Sequence, residues 1–256
     1  FVREVEPGEI VVITARGVRS VRFAPKKATR ACCIFEHIYF SRPDSIVFGQ
    51  TVHLVRRRLG EALAKEHPVE ADIVVPIPDS GTSAALGFAQ ASGIPLEFGV
   101  IRNHYVGRTF IQPLQSIRDL GVKIKFNVLR EAVRGKRVVI VDDSIVRGTT
   151  SRVRVKTLRD AGAKEVHMRI SCPPHRFPCF YGIDFPSSQE LIANRYSDKK
   201  IREYLDVDSL GYLSLEGMLS SVEGAADQYC AACFSGRYPT KVKGSGKFVL
   251  ENKCTC

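Results

Sequence analysis

Val138-Val-Ile-Val-Asp-Asp-Ser-Ile-Val-Arg-Gly-Thr-Thr150 says most about the fold of this 256-residue chain. The apolar residues Val138 to Val141 suit a strand buried on both faces, as in a parallel sheet. Asp142 and Asp143 follow at its carboxyl end, the edge where open α/β sheets place ligands. A short loop then offers Gly148 and the hydroxyls of Ser144, Thr149 and Thr150, and it opens a helix. Its amide groups and the positive helix end converge where a phosphate fits. The two aspartates repel a phosphate and suit ribose hydroxyls or a magnesium ion. An ordinary strand–loop–helix junction with an acidic N-cap would share part of this pattern; the whole string is more specific.

The alternation continues on both sides. Thr51 to Lys65 sets Val52, Val55, Leu59 and Leu63 on one helical face. Asp72 to Pro76 is a short apolar run, read as a buried strand. Thr82 to Ser92 is alanine-rich and ends at Gly93, a helix with a glycine cap. Leu96 to Ile101 reads as another strand. Lys136 to Asp142 is a strand, Thr149 to Ala161 a helix closed by Gly162, and Glu165 to Ile170 a strand. This order predicts a parallel α/β sheet flanked by helices. Glu9 to Thr14 and Arg19 to Phe23 flank a turn and predict a hairpin. Ser187-x-x-Glu190 predicts a capping box, and the tail from Lys241 is weakly patterned.

Val75-Pro-Ile-Pro-Asp-Ser-Gly81 is a second loop between a buried strand and a helix. It reads either as a turn with Asp79 or Ser80 as N-cap or as a ligand loop. Residues 102 to about 130 show no clean period, and a loop this long inside a domain is often functional. Within it Arg102 and Arg108 have the charge to reach a polyphosphate, or they are solvated arginines. Gly107 is a candidate hinge.

The net charge is +11, with 44% hydrophobic and 25% charged residues. Such charge suits a phosphorylated partner or plain solvated helix faces. The basic residues are scattered, no helix pair reads as DNA-binding, and no apolar run reaches membrane-spanning length. A phosphorylated small molecule is favoured, with no nucleic acid and no membrane as partner. The chain opens at Phe1 rather than Met and reads as a fragment or processed product. Its eight cysteines, without a secretion signal, point to metal ligation before disulfides. Cys230-Ala-Ala-Cys233 by spacing alone suits zinc, an iron–sulfur cluster or a redox dithiol.

The Val138–Thr150 string resembles the 5-phosphoribosyl-1-pyrophosphate (PRPP) signature of type I phosphoribosyltransferases. More of the chain is similar to the glutamine PRPP amidotransferase family. The stretches that carry the likeness are Ile34 to Asp44, Tyr105 to Pro113, Val138 to Thr150, Pro178 to Asp184 and Cys230 to Pro239. The resemblance implies the type I phosphoribosyltransferase fold, a parallel sheet flanked by helices, with a C-terminal helical segment tied back by a metal cluster. It implies a remnant of a glutaminase domain at 1–30, the phosphoribosyltransferase domain at 31–215, and a cluster-binding segment and tail at 216–256.

The implied reaction is PRPP plus ammonia, drawn from glutamine in a complete enzyme, to 5-phosphoribosylamine and pyrophosphate, the first committed step of purine synthesis. By the same likeness Asp142, Asp143, Arg102 and Arg108 are catalytic. Asp79, Ser80, Gly81, Ser144, Arg147, Gly148, Thr149 and Thr150 bind substrate. Mg2+ falls to Ser80, Asp142 and Asp143. One branch of the family carries a [4Fe–4S] cluster, and the matching positions are Cys33, Cys179, Cys230 and Cys233, with Cys32 a possible one-place misassignment. Cys172, Cys254 and Cys256 fall outside that pattern. The family's N-terminal nucleophilic cysteine has no counterpart, so no residue here is assigned glutaminase chemistry and a glutaminase domain is the missing partner. The likeness further implies a homo-oligomer (a tetramer), purine nucleotides as feedback inhibitors, and a cytoplasmic location, or the plastid stroma in a plant. Two rivals stand beside it: another type I phosphoribosyltransferase acting on a base, and a PRPP-sensing regulator.

Overall fold

The computed structural model describes residues 2–23, 30–103, 105, 126–184 and 187–241. Along them run strands β1 (Glu9–Thr14), β2 (Gly17–Arg22), β3 (Cys32–Cys33), β4 (Ile46–Val47), β5 (Gln50–Thr51), β6 (Ile73–Pro76), β7 (Val100–Arg102), β8 (Phe126–Val128), β9 (Arg137–Asp142), β10 (Glu165–Ile170), β11 (Ser209–Tyr212) and β12 (Tyr229–Cys230). The α-helices are α1 (Val52–Glu66), α2 (Thr82–Ser92), α3 (Arg130–Val133), α4 (Thr149–Asp160), α5 (Ile192–Arg195), α6 (Asp198–Leu205), α7 (Leu215–Ser220) and α8 (Ala232–Ser235).

The continuous apolar runs become the centre of the sheet because both of their faces must be covered. β11, β10, β9 and β6 lie side by side in that order, all parallel. All of β6 is buried, as are β9 and β10 beyond their first residue. Helix α2 packs on β6 and β9, and α4 packs on β10. One hydrophobic cluster runs from Ile34 and Phe35 through the sheet to Ala231, Cys233 and Phe234. The C-terminal segment therefore shares the core of the sheet domain.

Most predicted elements stand within a residue or two of their expected bounds, and Gly93 is left-handed (φ 73°) at the end of α2. The strand expected at Leu96 to Ile101 splits instead. Leu96 bridges Val74 in parallel, and Glu97 donates its N–H to Val74. A turn at Gly99 then redirects the chain into β7, which pairs antiparallel with β8. Its partner β8 lies in the stretch read as patternless, since three-residue strands leave too little periodicity to detect. Arg108, Gly107, Cys254 and Cys256 lie outside the described residues, as does most of the tail. The β1–β2 hairpin forms as expected, with β2 exposed throughout. No helix is long and apolar enough to cross a membrane, among the described residues.

Candidate functional site

Parallel pairing of β6 with β9 sets Pro76 opposite Val141, so their two loops leave the sheet side by side. The first loop turns through Ile77 to Gly81 and enters α2, with the Gly81 N–H donating to the Ile77 carbonyl at 3.0 Å. A Cβ on Gly81 would stand 2.5 Å from the Val141 carbonyl oxygen and 3.3 Å from Asp142 Cα. Only a hydrogen fits there, and the two loops touch at this point. The peptide bond between Pro78 and Asp79 is cis.

The touching loops exchange hydrogen bonds. Ser80 Oγ donates to Asp143 Oδ1, and Ser144 Oγ donates to Asp143 Oδ2. Asp143 is buried, yet its partners are hydroxyls that a ligand can replace. Asp142 is placed differently. Its Oδ1 accepts the Asp143 N–H at 3.0 Å, and its Oδ2 accepts Arg154 Nη1 at 2.6 Å. That ion pair is 3% exposed on the Asp142 side and 16% on the Arg154 side. Burial raises the Asp142 carboxyl above its ordinary value, and the Arg154 charge pulls the other way.

The second loop ends at Gly148, which is left-handed (φ 78°) and begins α4. A Cβ there would lie 2.6 Å from Ile192 Cδ1 and close to the Tyr204 ring. Ile192 N–H also donates to the Val146 carbonyl at 2.9 Å, so α5 and α6 back this loop. Thr149 and Thr150 are exposed in the first turn of α4, where no side chain caps the free amides. These N–H groups and hydroxyls are the donors an anion needs. Arg147, expected to bind substrate, points to Glu190 at 3.0 Å, and both are about half exposed. Glu190 also closes the predicted capping box with Ser187, on a single 3-10 turn. Arg102, at the end of β7, pairs with Asp79 in the first loop. The structure thus gathers Asp79, Ser80, Gly81, Arg102, Asp142, Asp143, Ser144, Gly148, Thr149 and Thr150, and turns Arg147 outward to Glu190.

Sequence reading missed Arg154. A signal existed: Ser151, Arg154, Val155 and Leu158 follow the i, i+3, i+4, i+7 spacing of a core-facing stripe. The other three are buried. A charge on that stripe needs a counter-charge inside the fold.

The cysteines meet by a different route. β3 and β12 pair in parallel with Cys33 opposite Cys230. Cys33, Cys179, Cys230 and Cys233 line one cavity of about 490 Å³, rimmed by Phe40, Tyr181 and Tyr238. The Cys233 carbonyl accepts the N–H groups of Arg176 and Phe177 at 3.1 Å each, which draws the Cys179 segment in. Burial pushes the Cys33 thiol up to about 11 and raises Cys233 as well. Cys32 pairs with Tyr229 in register and does not line the cavity, and Cys172 is buried and does not line it either. Among the described residues no group of three or more His, Cys, Asp or Glu side chains is disposed to hold a single metal ion.

Residues 50–176 match the phosphoribosyl transferase domain family. Over 255 residues the chain is 55% identical to the amidophosphoribosyltransferase of Synechocystis sp., covering 98% of this chain and 51% of that one. It is 52% identical over 260 residues to the amidophosphoribosyltransferase of Mycobacterium leprae, covering 98% and 46%. The chloroplastic amidophosphoribosyltransferase of Vigna aconitifolia is 53% identical over 241 residues. Among solved structures, the B. subtilis glutamine PRPP amidotransferase complexed with ADP and GMP superposes with a TM-score of 0.85 at 52% identity, over 94% of this chain and 54% of that one. The chain spans about half the length of the curated relatives it matches.

Proposed function

The chain belongs to the amidophosphoribosyltransferase family, and from that premise we propose that it binds PRPP between the Ile77–Gly81 and Asp142–Thr150 loops. It then transfers the ribose phosphate to ammonia. The C1–O bond to pyrophosphate breaks, a C1–N bond forms, and one ammonia proton leaves to solvent. The observation that carries this reading is the hydrogen bond from Ser80 to Asp143, which joins the two loops at the carboxyl ends of adjacent parallel strands. Identity to amidophosphoribosyltransferases over nearly the whole chain favours this reading over a base-directed transferase or a regulator.

Each group has a task that follows from its chemistry. The free amides of α4, with Thr149 and Thr150, hold the 5-phosphate. Asp143 accepts from ribose hydroxyls in place of Ser144. The Ile77–Gly81 loop brings its amides against the pyrophosphate, and Gly81 keeps that loop tight against Asp142. Arg102 exchanges Asp79 for pyrophosphate oxygens as charge develops on the leaving group. Arg108 is proposed for the same task. Ser80 and Asp143 are hard oxygen donors on facing loops and suit Mg2+, with Asp142 directly behind them. When bound with PRPP, magnesium neutralises the leaving pyrophosphate. Ammonia is already a nucleophile, so positioning and charge stabilisation suffice without a general base.

The four-cysteine cavity is assigned to a [4Fe–4S] cluster of structural role. Cys233 is buried and Cys33, Cys179 and Cys230 are half-buried; four thiolates sharing that cavity need positive charge beside them, which iron supplies. ADP and GMP accompany the B. subtilis structure, and purine nucleotides are proposed as inhibitors here too. A homo-oligomer, a glutaminase domain as nitrogen source, and the division at residues 30 and 215 belong to the same proposal.

The test is pyrophosphate release from PRPP and Mg2+ by purified, folded chain, with ammonium chloride or glutamine as nitrogen source. Ammonia-dependent release is expected. No release from a folded sample, or equal rates with glutamine, breaks the reading.

A further inference from the structure

Arg154 faces Asp142 from inside the fold. The pair spans β9 and α4, it is buried on the Asp142 side and partly buried on the Arg154 side, and it measures 2.6 Å. The guanidinium also lies over the Phe126 ring, 4.8 Å from its centroid, at the start of β8. Its Nε is buried without a hydrogen-bond partner among the described residues. Nothing in this arrangement turns Arg154 toward the open side of the two loops.

Asp142 spends both carboxylate oxygens in the protein. Oδ2 takes the Arg154 bond, and Oδ1 takes the N–H of Asp143. The Asp142 carbonyl accepts the Ser171 N–H at 3.0 Å, which ties the same residue to the end of β10. Asp143 is left to meet Ser80 and Ser144. Adjacent carboxylates in the motif thus occupy different environments: one locked, one available.

We propose that Arg154 is a positioning residue: by holding Asp142 it fixes the Asp142–Asp143 peptide, and so aims the Asp143 carboxylate at PRPP. This rests on the reading of the two loops as a PRPP site. Without Arg154 the buried Asp142 carboxylate has no counter-charge and must take up a proton or turn toward water. Either change weakens its bond to the Asp143 N–H and loosens the hold on Asp143 beside Ser80.

The experiment compares Arg154→Leu, Arg154→Lys, Asp142→Asn and the double variant Arg154→Leu/Asp142→Asn, with Asp143→Asn as control. Each is checked for a cooperative melt, then assayed for PRPP KM and kcat with ammonium chloride. Arg154→Leu is expected to raise the PRPP KM about tenfold or more and to change kcat by about threefold or less. Arg154→Lys, which keeps the charge, is expected to recover most of that loss. The double variant removes both charges and is expected to have a lower KM than either single substitution, because a buried pair can be replaced as a unit while one partner cannot be left alone. If Arg154→Leu does not fold, the double variant against Asp142→Asn decides. A wild-type KM in Arg154→Leu, or a double variant as impaired as the worse single, overturns the proposal. Wild-type kinetics in Asp143→Asn would instead refute the PRPP site itself.

Discussion

The two sites of this molecule are assembled over very different sequence distances. Val138 to Thr150 supplies a strand, two carboxylates, a left-handed glycine and a helix start within thirteen consecutive residues. The cysteine cavity collects Cys33, Cys179, Cys230 and Cys233, whose ends lie 200 positions apart. In the first, local geometry places the groups once the strand is buried. In the second, every group depends on the whole core having formed, since Cys33 meets Cys230 only through the β3–β12 pairing. A contiguous loop can lose a ligand contact and keep its shape. A cavity closed by distant segments loses shape when one link goes.

The largest expected effect tests the cavity. If the proposed cluster is present, Cys230→Ser removes one of four metal links that close very long loops, where binding free energy becomes folding free energy. We expect a loss of roughly several kcal/mol, a large part of a typical domain's total. Soluble, folded protein and visible absorbance should fall together. A folded, colourless variant with unchanged melting temperature would remove the cavity's role as a staple.

Asp143→Asn should do the reverse. It keeps shape but removes the charge that Ser80 and Ser144 face. PRPP affinity or turnover should drop at least about tenfold, roughly 1.4 kcal/mol, with the melting temperature near wild type. A comparable loss of stability would erase the contrast between the two sites.

Gly148→Ala falls between them. The left-handed φ and the 2.6 Å approach to Ile192 Cδ1 both resist a side chain. A destabilisation of about 1–2 kcal/mol is expected, together with weaker PRPP binding, because the same residue shapes the loop and touches α5. Differential scanning calorimetry and PRPP titration on one sample read both effects.

Glu190→Gln should matter least. It weakens an exposed pair with Arg147, and such pairs contribute little. A change of about twofold or less in PRPP KM is expected. A large change would show that Arg147, as the resemblance implied, must be held for the ligand after all.

The sheet was legible because burial on both faces leaves a mark in the sequence: runs such as Ile73 to Val75 and Val138 to Val141 admit few other structures. Gly81 and Gly148 were legible as loop residues. The reason a side chain is excluded at each was not, since the obstacles are Val141 and Ile192 from elsewhere in the chain. The aspartates looked equivalent, for nothing in Asp142-Asp143 says which one meets Arg154, twelve residues on and across a helix. The β7–β8 pair was too short to show any period. The sequence by itself determined which residues must be buried and which loop opens a helix with free amides and hydroxyls, because those follow from local polarity and backbone freedom. Only the tertiary structure decided which carboxylate is locked, where Arg147 turns, and that four scattered cysteines share one cavity. Contacts between residues far apart are set by packing the whole core, and no single stretch of sequence encodes them.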